Sequence, residues 1–442
     1  MSKLAMLGGV PAVSTTDLGM FKWPIVTPEM ESAVLKVLHD GSMSGIGITE
    51  NFEAGYAAWH QCRYALAHSS GTAALHAAMY GVGLGPGDEL ICPSVTYWAS
   101  CTQALSLGAR VVFADIEADS LCLDPASLEA HITPRTKAVV IVHYLSHPAD
   151  MDALMKVARK HGLKVIEDVS HAQGGLYKGR LLGTFGDVGA CSLMSGKSFA
   201  IGEGGMLYTN NQEIYEKAIL FGHYERIGKL EVLKLPEGVG MLPWGGYKYR
   251  LNQMASAIGL IQLQKYASES AEIDKAMCYF SKGIEGVPGC RKHYPVWPDS
   301  NKAGWYASCM HYRSEELDGL SPKLFCEALK AEGCEGFRPG CNFPLHQARL
   351  FYDVDIYGHG KPSADAHFKD GSLARDCTGE LPVASSINQR VVSIPWFKHC
   401  RTEVIDQYIN AIHKVIENHK ELLELQGQDA KEVQKGRWSF TH

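Results

Sequence analysis

Three short segments of the sequence carry side chains whose spacing could do chemistry. The first is His68-Ser69-Ser70-Gly71-Thr72, a small polar turn that opens a helical stretch. The free N–H groups and positive dipole end of such a turn, at Ser70, Gly71 and Thr72, suit a phosphate. The same residues also make an ordinary helix cap. The second segment is an apolar strand from Lys164 that ends in Glu167 and Asp168 and is followed by His171. It sets Asp168 at the carboxyl edge of a sheet, where ligands bind in open α/β folds. A solvated turn is the plainer reading of a lone Asp. The third runs from Cys191 to Gly205: Ser192 closes an apolar run, Lys197 follows five residues later, and Gly202-Glu-Gly-Gly205 completes a tight turn. A lysine leaving an apolar strand into such a turn is placed where desolvation can lower its pKa, although most lysines only solubilise a surface.

These residues need elements that position them. Strand patterns are predicted at Glu89–Cys92, Arg110–Ala114, Ala138–His143, Lys164–Glu167, Val188–Leu193 and Met206–Thr209. Helical patterns alternate with them at Gly71–Val82, Trp98–Leu107, Pro125–His131 and Met151–His161, the last two opening on Asp124 and Asp150 as caps. Such alternation predicts a mainly parallel sheet covered on both faces. Beyond Pro243 the pattern changes. Gln253–Gln264 reads as a long helix, the stretch to about residue 365 is rich in Gly, Pro, Cys and aromatics, and Val404–Leu423 is amphipathic. The expected organisation is an arm over 1–20, a large α/β domain over 21–265, a smaller C-terminal α+β domain over 266–425 and a polar tail over 426–442.

Composition narrows the function classes. The chain has 442 residues, 46% apolar and 20% charged, enough for a large core. Lys plus Arg number 42 and Asp plus Glu 48, so a net charge of −6 gives no reason to expect nucleic acid or an anionic membrane as partner. Thirteen cysteines are scattered without a CxxC pair or a Cys/His cluster at zinc spacing, so no metal site and no disulfide framework are expected. No apolar run approaches the roughly 18 residues that span a bilayer, and the N-terminus is no convincing signal peptide. A cytoplasmic protein is the expectation.

Together and in this order, the three segments meet the needs of pyridoxal 5′-phosphate (PLP). That cofactor needs a lysine amine for a Schiff base, an anion opposite its pyridine nitrogen and a cradle for its phosphate. The sequence also resembles the sugar aminotransferases of the DegT/DnrJ/EryC1/StrS family, PLP-dependent enzymes of fold type I, through nearly its whole length. The likeness rests on Gly8, Gly9 and Pro11, on Gly-Pro-Gly-Asp at 85–88, on Pro93-Ser-Val-Thr-Tyr97, on Glu167-Asp168, on the Ser192-to-Lys197 spacing with Gly-Glu-Gly-Gly at 202–205, and on Tyr249-Arg250.

The resemblance implies roles. Lys197 would join the cofactor aldehyde and then move the proton between substrate carbon and cofactor, and Asp168 would keep the pyridine nitrogen protonated. Ser70, Gly71, Thr72 and Ser192 would hold the phosphate, and Tyr97 would stack on the ring. His171 stands where many members have Gln beside the cofactor's 3-hydroxyl. Because His titrates near neutrality, a shifted pH optimum is expected. Lys248 replaces the Asn that in the family reaches the phosphate of the neighbouring subunit, which implies a homodimer with composite sites. His223 and His346 fall in segments that border the substrate in relatives, each with a purely structural alternative.

The leading expectation is transfer of an amino group from L-glutamate or L-glutamine to a keto sugar or ketocyclitol, in a ping-pong cycle through the pyridoxamine form. The Gly-Gly-x-Pro opening resembles the branch acting on inosose-type ketocyclitols and related keto sugars more than the nucleotide-sugar branch. The alternatives are a dehydratase or lyase of the same family, in which histidine replaces the lysine kept here as Lys197, and a non-catalytic sensor built on the fold.

Overall fold

The computed structural model describes residues 2–14 and 18–426; residues 15–17 of the arm, and all of the tail beyond Gln426, lie outside the described residues. Two helices, α1 (Pro28–His39) and α2 (Gly47–Trp59), precede β1 (Tyr64–His68). There follow α3 (Gly71–Gly81), β2 (Glu89–Pro93), β3 (Arg110–Ala114), α4 (Pro125–Ala130), β4 (Thr136–Val142), α5 (Met151–His161) and β5 (Lys164–Asp168). A small hairpin, β6 (Leu176–Tyr177) and β7 (Arg180–Leu181), leads to β8 (Val188–Ser192), β9 (Gly205–Thr209) and α6 (Gln212–Gly222).

Seven of these strands form one sheet in the order β1-β9-β8-β5-β4-β2-β3. Strands β3, β2, β4, β5 and β8 are mutually parallel, and β9 pairs antiparallel with both β8 and β1. Every residue of β2 and β9 is buried, as expected when both faces of a sheet are covered. The strand and helix patterns of the sequence match these elements to within a few residues. The exception is Trp98–Leu107, which forms two short 3-10 turns split at Cys101 (φ −146°, ψ −24°) and not one helix.

Helix α7 (Gln253–Gly283) is longer than the sequence pattern suggested. Beyond it lie β10 (Cys290–Lys292), β11 (Cys309–Tyr312), α8 (Pro322–Ala331), β12 (Arg338–Pro339), α9 (Pro382–Arg390), β13 (Val391–Ser393), α10 (Thr402–Glu417) and α11 (His419–Gln426). The four strands make a second, antiparallel sheet in the order β10-β11-β13-β12. Its core gathers Phe280, Phe325, Val392, Ile405 and Ile412 together with Leu4, Val13 and Met20 of the arm. The amphipathic stretch after Thr402 is two helices that part at Asn418. Residue 265 falls inside α7, whose early residues join the first core and whose later ones, from Ile273, join the second. We propose that the boundary falls within a shared helix and not in a linker.

The Gly-Gly-x-Pro opening has a local physical cause. A Cβ on Gly9 would stand 1.9 Å from the Lys3 carbonyl oxygen, so only glycine fits the fold of the arm. The arm is pinned by Glu332, whose carboxylate accepts the N–H groups of Ala5 (2.8 Å) and Ala12 (2.9 Å) and pairs with Lys414 at 2.7 Å. Glu332 is wholly buried, so removing its charge strands the Lys414 ammonium. Glu332→Gln is expected to lower unfolding free energy by about 3–5 kcal/mol, read as a shift in the denaturant midpoint at constant slope.

Candidate active site

Because the strands are parallel, the segments that leave β1, β2, β4, β5 and β8 all emerge at one edge of the sheet. Asp168 and Ser192 are the final residues of β5 and β8, with β5 and β8 paired in register at Asp168 and Ala190. Alternation along β5 sends its two acids to different tasks. Glu167 is fully buried and accepts the N–H groups of Gly183 (2.8 Å), Phe185 (2.6 Å) and Gly186 (2.6 Å). Asp168, 4% exposed, accepts the Ser100 hydroxyl at 2.7 Å and the Ser170 N–H at 3.0 Å. A carboxylate so held stays in place, and among the described residues its donors are neutral.

The turn between β8 and β9 carries Lys197, which is 8% exposed. Its backbone is fixed from several sides. The Lys197 N–H donates to the Met194 carbonyl (2.8 Å), and Trp23 Nε1 donates to the Lys197 carbonyl (2.8 Å). The neighbouring Ser198 hydroxyl donates to Gln173 Oε1 (2.7 Å), while Gln173 Nε2 donates to the Ser192 carbonyl (2.5 Å). The ammonium lies 4.1 Å from the centroid of the Tyr306 ring.

Tyr306 was not singled out by the sequence. It sits in an irregular stretch between Ala303 (φ 46°), Trp305 (φ 53°) and Ala307 (φ 53°), three non-glycine residues in the left-handed region. Leu145 (φ 49°) and Ser146 (φ 66°) share that conformation. The Ser146 hydroxyl lies within hydrogen-bonding distance of the carbonyls of both His171 (2.6 Å) and Tyr306 (2.8 Å). Each such residue costs on the order of 1–3 kcal/mol and persists only where its surroundings over-determine it, commonly at a functional site. Nothing local in the sequence announces Tyr306. Gln173 was within reach, two residues beyond His171 in the same motif.

His171 corrects an expectation. Its Nδ1 accepts the Leu145 N–H at 3.3 Å, which leaves the proton of the neutral ring on Nε2. Burial, and the adjacent Lys197 ammonium, hold the imidazole well below its ordinary 6.5. It is therefore neutral near pH 7 and does not impart a titration there.

The 70–72 turn opens a helix, as the sequence pattern predicts. Ser70 caps α3, its hydroxyl accepting the Ala73 N–H at 3.1 Å, with Gly71 and Thr72 opening the helix. A Cβ on Gly71 would lie 2.6 Å from Cα of Ser192, so the end of β8 and the turn abut through a position only glycine can occupy. Tyr97, half-buried, follows β2 beside Trp98, with ring centroids 5.0 Å apart. Burial raises its phenol pKa. Lys248 is exposed, but its segment docks on the turn, because the Ser69 N–H donates to the Tyr249 carbonyl at 2.6 Å.

The two histidines of the substrate expectation lie inside the protein. His223 is fully buried against His68, ring centroids 4.8 Å apart, with Glu225 at 3.5 Å. His346 is also fully buried, its Nδ1 engaged by the Ser94 hydroxyl and its Nε2 3.1 Å from the Ser385 hydroxyl. That arrangement ties the loop before α9 to the end of β2, which is a packing role.

Two outcomes follow. Gly71→Ala is expected to weaken cofactor binding about tenfold or more, since forcing a methyl into this contact costs about 1–3 kcal/mol; titration of the apoprotein with PLP reads it. A histidine with a depressed pKa gains its proton only in acid, where charging it costs stability. His171→Gln is thus expected to leave the shape of the kcat/KM profile unchanged between about pH 6 and 9, and loss of an acidic limb in the variant would return that titration to His171.

Comparison with known proteins agrees with this geometry. Residues 24–413 match the model of the DegT/DnrJ/EryC1/StrS aminotransferase family. The chain is 29% identical over 439 residues to the L-glutamine:2-deoxy-scyllo-inosose aminotransferase of Micromonospora echinospora, covering 96% of this chain and 100% of the relative. Among solved structures, an aminotransferase from Psychrobacter cryohalolentis superposes with a TM-score of 0.76 at 26% identity, over 90% of this chain and 99% of that one. S. venezuelae DesV, in complex with a ketimine intermediate, gives 0.68 at 31% identity over 88% and 94%. With the lysine turn, the buried aspartate and the glycine contact at Ser192 all in place, the chain belongs to the DegT/DnrJ/EryC1/StrS family and is a PLP-dependent aminotransferase of fold type I.

Proposed function

We propose that this aminotransferase moves an amino group from L-glutamate or L-glutamine to a ketone on a sugar or ketocyclitol, as a homodimer with shared sites. The observation that carries the reading is the convergence of Asp168, Lys197 and the Ser70–Thr72 turn on one sheet edge, lined by His171 and Tyr306. Polar and aromatic groups of this kind suit a hydroxylated ring better than an apolar side chain. The lean toward ketocyclitols rests on the Gly8-Gly9-x-Pro11 arm and on the near full-length likeness to the M. echinospora enzyme.

The residues fit the cofactor: a buried carboxylate with neutral donors is matched by a protonated ring nitrogen, and the amides that open α3 at Gly71 and Thr72 suit a phosphate. When bound, PLP supplies an electron sink for the substrate carbon that bears the amine. With the cofactor bound, Asp168 would keep the proton on the ring nitrogen. Ser70, Gly71, Thr72 and Ser192 would hold the phosphate, and Tyr97 would pack on the ring. His171 would offer its Nε2–H as a neutral donor in place of glutamine. Lys197 Nζ would hold the cofactor and serve as the group that moves a proton at the substrate carbon.

Support for a partner subunit comes from the stretch before Lys248. Val232, Met241, Leu242 and Trp244 are 48–70% exposed in the single chain, an apolar surface that a second copy would cover. Lys248 stands beside it, where its charge suits the phosphate of a neighbouring site.

Adding L-glutamate or L-glutamine to the PLP-loaded protein is expected to bleach its visible band and release the matching oxo acid, and a ketocyclitol is expected to restore the band. Lys197→Ala is expected to bind the cofactor without that band and to lose about a thousandfold or more in turnover. A visible band untouched by every amino donor, or water eliminated from a deoxysugar precursor with no oxo acid released, would overturn the proposal.

A further inference from the structure

We propose that the protein carries a second site, for a zinc-class divalent cation, formed by Nε2 of His131, the sulfur of Cys377 and a carboxylate oxygen of Glu380. The three ligand atoms lie within 4.8 Å of one another, although 246 residues separate His131 from Cys377. None of the three belongs to the aminotransferase site, and their distance along the chain hides them from any reading of metal spacings.

The histidine is set for the task. His131 follows α4 and is 9% exposed, and its Nδ1 donates to the Ser127 carbonyl at 2.7 Å. That bond puts the proton on Nδ1 and leaves the Nε2 lone pair open, the arrangement by which a backbone carbonyl orients a metal-binding histidine. Nε2 is buried and has no hydrogen-bond partner among the described residues. A buried acceptor left alone costs about 1–3 kcal/mol, so it asks for an explanation.

The other two ligands come from one turn. The Glu380 N–H donates to the Cys377 carbonyl at 2.9 Å, which folds Cys377-Thr-Gly-Glu380 so that the first and last side chains meet. Cys377 is 1% exposed and its thiol donates weakly to the Arg375 carbonyl at 3.6 Å. Glu380 is exposed and pairs with Arg375, so one of its oxygens can turn inward without a burial penalty. With no cation present, burial pushes the Cys377 thiol up to about 11. Coordination would displace its proton to solvent and leave a thiolate on the metal.

The donor set names the ion. One sulfur, one imidazole nitrogen and one carboxylate oxygen select zinc or cobalt over magnesium or calcium, and a water completes a tetrahedron. Its effect would be mechanical. The loop that ends at Cys377 crosses the edge strand β3, where Arg110 pairs with Asp365 at 2.7 Å, and it carries the buried His346. Just after it, the first amides of α9, at Val383 and Ala384, donate to Asp115. A cation at His131 would clip the same loop to α4.

The test uses the full-length, PLP-loaded protein, stripped with a chelator and dialysed against zinc alone. Elemental analysis is expected to show one bound equivalent that Cys377→Ser and His131→Gln both lose, while retaining the cofactor's visible band as proof of folding. Cobalt in place of zinc is expected to give the visible ligand-field bands of a tetrahedral thiolate site. Should the two buried variants fail to fold, the exposed Glu380→Gln decides alone, with zinc affinity expected to fall about tenfold or more. Equal zinc content in wild type and Cys377→Ser, or an affinity unchanged in Glu380→Gln, would overturn the proposal.

Discussion

A negative charge kept dry at the end of β5 is the constraint around which the rest of the molecule is arranged. Asp168 is 4% exposed and is met by a hydroxyl and an amide. Such a carboxylate is tolerated only where its donors are rigid and a cation can complete its surroundings. The parallel sheet supplies the rigidity. Strands β4 and β8 flank β5, so the Asp168 backbone cannot move without breaking two ladders. Glu167 reinforces the same spot from the other side of the strand by gathering three amides of the 183–186 turn. Two adjacent acids thus serve opposite ends: one fixes the scaffold, the other is held for the role proposed for it.

A second consequence is that flexibility around the lysine has been removed. The 192–198 turn is held by Gln173, Ser198 and Trp23, and Tyr266 adds its hydroxyl to the Gln173 carbonyl at 2.5 Å. The role proposed for Lys197 needs a mobile side chain on an immobile backbone, because a displacement of about 1 Å can cost about a hundredfold in rate. Five left-handed non-glycine residues near His171 and Tyr306 show that the surrounding packing outweighs local preference there. The aromatic series Trp23, Trp396 and Tyr306, with centroids 5.3 and 5.9 Å apart in succession, is part of that packing.

What the sequence disclosed, and what it did not, follows from the range of each interaction. Lys197, Asp168 and Ser70-Gly71-Thr72 were legible because each lies where a strand ends and a glycine-containing turn or helix begins, a signal contained in ten residues or so. Parallel strands could be recognised for the same reason. Tyr306 and Ser100 were not legible, since their relevance depends on contacts with Lys197 and Asp168 that span 109 and 68 residues. Ser100 was hidden further by a pattern that read as one helix but breaks at Cys101. The neutral state of His171 is a property of burial, invisible in residue type. His223 and His346 show the converse: a histidine near a motif is often a core residue, and both are fully enclosed.

The arm shows how far the site's support extends. Its glycine pair folds back on Lys3, its amides end on Glu332, and Glu332 is neutralised by Lys414 of α10. The same arm places Met20 in the second core, and the Met20 carbonyl accepts the Lys398 N–H at 3.1 Å. Two residues before Lys398, Trp396 donates to the Gly304 carbonyl (2.9 Å), and a Cβ on Gly304 would stand 2.3 Å from Cβ of Ser198. A chain of direct contacts therefore runs from the first residues of the protein to the lysine turn. An opening sequence that touches no reacting atom can on this account bear on catalysis, by setting how closely the second core presses Gly304 and Tyr306 against Lys197.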